Sequence, residues 1–579
     1  MAWDNEELAR LFSEMAELLE LKGETGFRVR AYDRGARALS GHGADLAKLS
    51  ERELAAIPGV GKAIAAKVRE YLDTGRVVKL EELRAVVPPR LRALVRVPGL
   101  GPAKARLVHE RLGVSSPEEL AEALAAGRVA GLPGMGARTE ANLRRALERM
   151  AQRGDGIPLA LALPLAETLR DRLAGVAEVE RVEVAGSLRR MKATVHDLDL
   201  LAASTDPAAV NRAFTELPQV AEVAALGDTK ASIRTRDGLQ VDLRTVRPEV
   251  WGAALQYFTG SAAHNVRIRE RAVKEGLKLS EYGLFERGGE LVVATDEEVV
   301  YDRLGMAWVP PVLREDRGVV DAGRVASRGR LPRLVALEDV GGDFHCHTDL
   351  SPDGTAPLEV MVEGARARGY RFLAITDHGE RLGLGGASRD QLLAQRERIR
   401  ALEARLGDIA LLHGAELNIG GDGTLDYDDE FLNGFDVLVA SVHDRLDQPR
   451  DLLTARLIAA CEHPSVNVIG HPTGRRIGSR AAGDVDLEAL YRAAARTGTA
   501  LEVNGSPHRL DLGDEQVRLA HQFGVMFSFG SDSHGPGHLA NMRFAVATAG
   551  RGWTTPDRVI NTLPMGELRQ FLAKGRPGR

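Results

Sequence analysis

The sequence predicts a multidomain chain: a helical N-terminal region, an α+β centre and a C-terminal region of parallel βα units. Three observations predict it. The 579 residues exceed the roughly 250 to 300 at which one hydrophobic core stops growing. Three Pro-Gly-x-Gly stretches, each leading into a helical pattern, recur before residue 150. Beyond residue 340, apolar strand-like runs alternate with helical segments, the pattern of parallel βα units.

Composition is that of an ordinary soluble protein, with 44% hydrophobic and 27% charged residues. The start, "MAWDNEELAR", is acidic, and no apolar run approaches the ~18 residues of a membrane span, so a cytoplasmic protein without a membrane partner is expected. Two cysteines, Cys346 and Cys461, exclude a disulfide framework and a four-cysteine zinc site. The net charge of −5 is unevenly spread: residues 1–160 carry 26 Lys+Arg against 22 Asp+Glu, and residues 331–579 carry 27 against 34. A mildly basic first part permits a nucleic-acid partner.

In that first part, "IPGVGKAIAAKV" (57–68), "VPGLGPAKARLV" (97–108) and "LPGMGARTEANL" (132–143) share one pattern, helix-hairpin-helix. The glycine pairs Gly59 and Gly61, Gly99 and Gly101, and Gly134 and Gly136 allow tight turns with bare backbone N–H groups at a helix N-terminus, a ready phosphate site. One copy alone would be an ordinary interhelical turn; three in succession point to DNA gripped by its backbone, without sequence preference. Lone lysines such as Lys67 and Lys104 read as solvated charges.

Past "QRGDGIPLA" (152–160) the pattern turns to strands and helices. In "AEVERVEVAGSLRRMKATVHDLDLLAAS", a strand, a Gly186-Ser187 turn and a basic connection lead to a second strand where Asp197 and Asp199 alternate with Leu198 and Leu200. Asp242 sits in the middle of a further strand, "GLQVDLRTV". Paired carboxylates on one face repel unless a cation lies between them, and Arg189 and Arg190 beside the turn add charge for a polyphosphate.

With these residues, positions 1 to about 315 resemble the family X DNA polymerases. "GSLRR" is similar to the family's phosphate-binding turn and "YFTGS" (257–261) to its nucleotide-binding segment. The resemblance implies Asp197, Asp199 and Asp242 as catalytic carboxylates holding Mg2+ or Mn2+ for two-metal nucleotidyl transfer. It further implies Gly186, Ser187 and Arg190 on the triphosphate of a deoxynucleotide, Tyr257, Phe258 and Gly260 against its sugar, Asn265 on the minor-groove edge and Arg269 on the template strand. His196 stands where the family commonly has glycine, and Gln240 where an arginine is found. Lys67 matches the Schiff-base lysine of a lyase site, with Arg28 and Ala63 in place of the lysines that accompany it.

A Pro/Gly/Arg-rich stretch precedes the C-terminal runs "GDFHCH", "FLAITDH", "IALLHGAEL", "VLVASVH", "VNVIGHP", "ALEVNG" and "MFSFGSDSH", most of which end in a histidine or an acid. In a βα barrel the C-terminal strand ends meet on one face. His345, His347, Asp353, His378, Glu416, His443, His471, Asp532 and His534 would converge there, whereas His413, His463, His508, His521 and His538 read as structural. Strand alternation turns Cys346 into the core.

This region resembles the PHP (polymerase and histidinol phosphatase) family, with "HCH", "TDH", "GAE", "SVH", "GHP" and "SDSH" as its motifs. The resemblance implies a distorted seven-stranded (βα)7 barrel whose nine ligands hold three divalent metals. Mixed imidazole and carboxylate donors suit Mn2+, Zn2+ or Fe2+. Together the halves resemble the bacterial-type family X polymerases with a PHP domain, which implies gap-filling repair synthesis, 3'-5' exonuclease activity and cleavage at abasic sites, by a monomer on gapped or primed duplex DNA.

The domains expected are an N-terminal helical domain (1–85), fingers (86–152), a nucleotidyltransferase palm (153–248), a thumb (249–315), a linker (316–337) and the PHP domain (338–579). Other readings stay open at this point: a DNA-binding PHP nuclease with a weak or inactive palm, a non-catalytic scaffold, or a small-molecule phosphatase.

Overall fold

The computed structural model describes residues 3–574 apart from 25, 41, 43–45, 75, 88, 96, 98, 137–138, 145, 148–155, 237, 287, 323–330 and 384. Pro98 of the second hairpin and the first part of the 152–160 boundary therefore lie outside the described residues. Two compact units emerge: Met1–Asp155 with Ala336–Val546 and Pro556–Arg579, and Gly156–Val335 with Ala547–Thr555.

The N-terminal part of the first unit is helical, including helices Trp3–Leu21, Phe27–Ser40, Lys62–Thr74 and Pro102–Leu112 around a core that includes Phe12, Met15, Val68, Leu94, Val108 and Leu120. The three hairpin turns fold alike. Val60, Leu100 and Met135 donate their N–H groups to Ile57, Val97 and Leu132, and the carbonyls of Gly61, Gly101 and Gly136 each accept from the helix four residues on. Gly59, Gly99 and Gly134 take φ of +90°, +90° and +73°, a conformation that favours glycine. A Cβ at Gly61, Gly101 or Gly136 would meet nothing within 4 Å, so the outer side of each turn is open to a ligand.

In the second unit, strands β1 (Arg181–Val184), β2 (Leu198–Ala203), β3 (Val220–Leu226), β4 (Lys230–Thr235) and β5 (Gln240–Val246) form one sheet in the order β1-β2-β5-β4-β3. Only β2 and β5 pair in parallel. Val241, Leu243 and Thr245 of β5 are buried while Gln240, Asp242 and Arg244 are half-buried, the period-two pattern of a strand with one face on the core. The Gly-Ser turn is a single helical turn, Gly186–Arg189, and Asp197 falls just before β2 rather than inside it.

Helices Trp251–Thr259, Ala262–Lys274 and Glu297–Arg303 follow, with a meander of β6 (Leu277–Ser280), β7 (Gly283–Glu286) and β8 (Leu291–Val293). Within the 316–337 stretch, Val319–Ala322 is helical, and Val319 and Val320 are buried in the same apolar cluster as Met306, Val309 and Leu313. Buried beside that cluster, Glu297 pairs with Arg189 at 3.0 Å and with the fully buried Arg314, and accepts from the Trp308 indole at 3.0 Å. Burial alone would raise its pKa, but Arg314 and Arg189 bring it down to about 2.

The rest of the first unit carries seven parallel strands in sequence order: β9 (Gly342–Asp343), β10 (Phe372–Ile375), β11 (Ala410–Asn418), β12 (Val437–Ser441), β13 (Val468–Ile469), β14 (Ala500–Asn504) and β15 (Phe527–Gly530). Past their ends, Cys346 and Ser533 form a parallel bridge and His347 N–H donates to the Ser533 carbonyl at 2.7 Å, which brings the first strand to the last and nearly closes a barrel. Cys346 is fully buried among Leu358, Met361 and Leu373, in the core where alternation puts it.

Removing Glu297 would leave Arg314 as an unpaired buried charge, so Glu297→Ala is expected to destabilise the second unit by about 3–5 kcal/mol. Tryptophan fluorescence during urea unfolding reads this, since Trp251, Trp308 and Trp553 belong to that unit. Buried His264, bonded to the Tyr301 hydroxyl at 2.8 Å, is pushed from 6.5 down to about 3 by burial and then by Arg314 and Arg190. Its folded value lies below the unfolded one, so its contribution is complete above pH 6.5 and is lost as pH falls towards 3. The urea midpoint should fall across that window, and His264→Asn should flatten the slope.

Candidate active sites

Two clusters of chemically able side chains stand out. In the second unit, Asp199 of β2 and Asp242 of β5 are register partners on adjacent parallel strands, so their side chains leave the same face, with Asp197 two residues earlier, just before β2. Burial, then repulsion from Asp197 and Asp242, raises Asp199 to about 6. A carboxylate whose ionisation its two acidic neighbours oppose marks a site that gains from a cation. Lys230 Nζ and Gln240 Nε2 each lie 3.4 Å from Asp242, so the charge absent at position 240 comes instead from the neighbouring strand β4. His196 is exposed.

Gly186, with φ of +59°, is packed so closely against Asp199 that a Cβ there would collide with its carboxylate. Ser187 is half-buried beside it. Arg190 turns inward, donating to the Thr259 carbonyl at 2.6 Å and pairing with Glu315 at 3.1 Å. Thr259 ends the helix carrying Tyr257 and Phe258, both half-buried and in edge contact, with the Arg244 guanidinium over the Phe258 ring. Asn265 is buried: its amide donates to the Tyr257 carbonyl at 2.7 Å and accepts from Gln256 at 2.8 Å. Arg269 is exposed and donates to the Asn265 carbonyl at 3.3 Å. The turn at 186–190 and the segment at 257–260 are thus joined through Arg190, whereas Arg269 stands apart. In the helical region, half-buried Lys67 donates to the Ala63 carbonyl at 3.1 Å.

The second cluster lies at the C-terminal ends of the barrel strands. His345 and His347 follow β9, His378 follows β10, Glu416 is in β11, and His443, His471 and Asp532 come two residues after β12, β13 and β15. Their ligand-type atoms form four overlapping groups, each within 4.8 Å: His347, His378 and His534; His345, His347 and Asp532; His345, Glu416 and His471; His378, Glu416 and His443. Asp353 joins through His534 at 3.2 Å and His378 at 3.7 Å. All nine sequence candidates therefore come together.

Glu416 is the hub, with His378 and His471 at 2.9 Å, His443 at 3.1 Å, His345 at 3.3 Å and His347 at 3.6 Å from its oxygens. Asp532 stands 3.6 Å from His347 and 3.7 Å from His345. Two of these ligand-type residues hold strained backbone, His471 at φ +26° and Asp532 at φ +54°.

The arrangement fits metal ions. Buried His345 Nε2, His347 Nε2, His378 Nδ1 and His443 Nε2 crowd the Glu416 oxygens at 2.9–3.6 Å without hydrogen-bond geometry, and buried Asp353 Oδ1 makes no hydrogen bond, although buried polar atoms nearly always do. The opposite ring nitrogens are tied down: His345 Nδ1 to Glu502 at 2.7 Å, His347 Nδ1 to Ser351 at 3.2 Å, His443 Nδ1 to Asn418 at 2.7 Å and His534 Nδ1 to the Asp532 carbonyl at 2.9 Å. Such bonds fix the tautomer and leave the free nitrogens of His345, His347 and His443 facing the shared space. Burial, reinforced by its histidine neighbours, lowers His347 to about 4, and burial with Arg509 lowers His471 to about 3; both imidazoles are neutral at pH 7 and able to ligate. Although burial opposes it, Asp353 and Asp532 draw positive charge onto His534, raising it to about 9.

Residues that sequence reasoning missed surround this cluster. Glu502, 1% exposed in β14, holds His345 Nδ1 and accepts from the His471 N–H at 2.6 Å. Arg509 pairs with Asp532 at 3.0 Å and keeps a buried Nη1 without a partner. Burial, then Arg509 and Arg476, brings Arg480 down to about 10, the mark of three crowded guanidinium groups. The run "GRRIGSR" after His471 carried a signal for two of them.

Family models match the chain in four places: a helix-hairpin-helix domain over residues 3–77, a SAM-like helix-hairpin-helix tandem over 91–149, the DNA polymerase beta thumb over 254–315 and the PHP domain over 343–505. Across 572 residues the chain is 34% identical to the DNA polymerase/3'-5' exonuclease PolX of Bacillus subtilis (strain 168), covering 98% of this chain and 99% of that protein. Shorter relatives named probable phosphatases, from Thermoanaerobacter sp. (strain X514) and Shewanella sp. (strain MR-4), are each 28% identical over 40% of this chain and cover 93% and 91% of their own lengths.

Glu502 orients a ligand-type imidazole without facing the shared space itself, so Glu502→Ala is expected to weaken divalent metal binding about 10- to 100-fold. Competition with a chromophoric chelator measures this; wild-type affinity would contradict the role.

Proposed function

This chain belongs to the bacterial-type family X DNA polymerases with a PHP domain, and from that premise we propose that it extends primer 3'-ends at the Asp197–Asp199–Asp242 cluster and hydrolyses DNA 3'-ends at the barrel cluster. The observation that carries the reading is that one chain holds both clusters: in-register carboxylates beside a basic turn, and four overlapping groups of buried metal-ligating side chains.

Divalent ions held by these side chains supply Lewis acidity, making an oxygen nucleophile available at neutral pH and neutralising phosphoryl charge. The chain's own residues do the rest. Gly186 lets the turn at 186–190 lie directly on Asp199, so a triphosphate on Gly186, Ser187 and Arg190 sits beside the carboxylates. Lys230 offsets the charge of Asp242. Tyr257, Phe258 and Gly260 would pack against the nucleotide sugar and Arg269 would reach the template, while Asn265 would meet the minor-groove edge by releasing its bonds to Tyr257 and Gln256. At the barrel, Arg509, Arg476 and Arg480 crowd near Asp532 and suit the phosphates of a DNA strand. The open turns at Gly59–Gly61, Gly99–Gly101 and Gly134–Gly136 grip the DNA backbone through N–H groups.

The finer reading follows from the same residues. The nuclease cluster takes three ions among Mn2+, Zn2+ and Fe2+, suited to its imidazole and carboxylate donors, and the polymerase cluster takes Mg2+ or Mn2+. The substrates are gapped or primed duplex DNA and deoxynucleoside triphosphates, in repair synthesis, with abasic-site cleavage at the nuclease cluster and Lys67 as the lyase candidate. The protein works as a cytoplasmic monomer, and no described helix is long and apolar enough to cross a membrane. Its domains divide as 1–85, 86–152, 153–248, 249–315, a 316–337 linker and 338–579.

Single substitutions should separate the activities. Asp199→Ala is expected to lower primer extension at least about 100-fold while leaving 3' degradation intact, and His345→Ala to do the reverse. Gly186→Ala should behave like Asp199→Ala, because its Cβ displaces that carboxylate. An end-labelled primer on a gapped duplex reads both rates; extension that survives Asp199→Ala would leave only a DNA-gripping nuclease.

A further inference from the structure

The basic turn of the polymerase site is held by a residue 361 positions away in sequence. Arg551, 5% exposed, donates through Nη1 to the main-chain carbonyl of Arg190 at 2.7 Å and lies 3.4 Å from Glu315. Glu315 is the carboxylate that pairs with the Arg190 guanidinium at 3.1 Å. Burial would raise the pKa of Glu315, yet Arg190 and Arg551 beside it hold it below the usual carboxylate range, so it stays ionised between them.

Arg551 is firmly seated. Residues 547–555 belong to the same compact unit as the five-stranded sheet. Trp553 packs on the apolar cluster of Met306, Val309 and Leu313, and the Thr554 carbonyl accepts from Val335 N–H at 2.9 Å. Arg317 donates to the Arg551 carbonyl at 3.4 Å. On the far side of Arg190, the bond to the Thr259 carbonyl reaches the 257–260 segment, and a Cβ on Gly260 would stand only 3.1 Å from Arg190 Nη1. Arg551, Glu315, Arg190 and Thr259 thus form one chain of charge-assisted bonds whose last links join both segments assigned to the nucleotide.

We propose that Arg551 is a positioning residue for the incoming nucleotide: by holding the Arg190 carbonyl and sharing Glu315, it fixes the spacing between the 186–190 turn and the 257–260 segment. This rests on the reading above that these segments bind the triphosphate and sugar. Arg551 acts on the Arg190 carbonyl and on Glu315, so it should govern how tightly the nucleotide is held rather than the chemical step.

The test is deoxynucleotide dependence of single-nucleotide insertion on a gapped duplex, for the full-length protein and its Arg551→Ala, Arg551→Lys and Arg190→Ala variants. Arg551→Ala is expected to raise KM for the nucleotide about tenfold, with kcat within about threefold of wild type. Arg551→Lys, which keeps a charged donor, should recover most of the loss, and 3' degradation without nucleotides should be unchanged by Arg551→Ala. Arg190→Ala should raise KM at least as much. A wild-type KM in Arg190→Ala would overturn the nucleotide reading and this proposal with it. A raised KM in Arg190→Ala alongside a wild-type KM in Arg551→Ala, or a parallel fall of kcat and 3' degradation in Arg551→Ala, would overturn the positioning role alone. Should Arg551→Ala fail to fold, Glu315→Gln removes the shared carboxylate and is expected to give the same rise in KM; a wild-type KM there would overturn the proposal.

Discussion

Everything at the barrel mouth depends on Glu416, a carboxylate 1% exposed and surrounded by five imidazoles. A buried carboxylate costs several kcal/mol unless positive charge meets it. Protons on the imidazoles supply part of that charge: although burial opposes it, carboxylate neighbours raise His345 and His378 above the ordinary histidine range, whereas burial drives His347 and His471 towards neutrality. His345 and His443 anchor their outward nitrogens on Glu502 and Asn418 and turn the inward ones to the shared space. Cations held by these side chains would satisfy the carboxylate and the inward lone pairs of the neutral imidazoles at once. The strained backbone of His471 and Asp532 is consistent with a site whose geometry is imposed by the barrel around it.

The carboxylate cluster on the five-stranded sheet works in a different regime. Asp197, Asp199 and Asp242 are half-buried and keep access to water, where the barrel histidines His345, His347 and His471 are at most 1% exposed. Burial and its acidic neighbours raise Asp199, and a cation among the three acids would relieve that. At Gly186 a Cβ would collide with the Asp199 carboxylate, so only glycine lets the turn lie directly against it.

Much of this was legible in the sequence because function had left marks that folding does not explain. Histidines and acids at the ends of strand-like runs gave the nine barrel candidates, and three repeats of one turn gave the hairpins. Residues acting at second remove left no such mark. Glu502 is a single acid in its strand, and Asn418 and Ser351 are single polar residues without a spacing rule; only the folded barrel shows that they hold imidazoles. The Arg189–Glu297 pair spans 108 positions and the Arg190–Arg551 bond 361, distances over which no local periodicity carries information. Placing Asp197 within β2 failed by one residue, since alternation sets the face of a side chain more firmly than it sets where a strand begins.

The central claim is that one chain both builds and trims a DNA 3'-end. Its most direct test follows a single labelled primer on a gapped duplex with the wild-type protein and manganese, first without deoxynucleotides and then after their addition to the same tube. The account predicts bands that shorten in the first phase and lengthen past the starting position in the second. Bands that shorten and never regrow would contradict it, leaving the five-stranded sheet as a platform that only holds DNA.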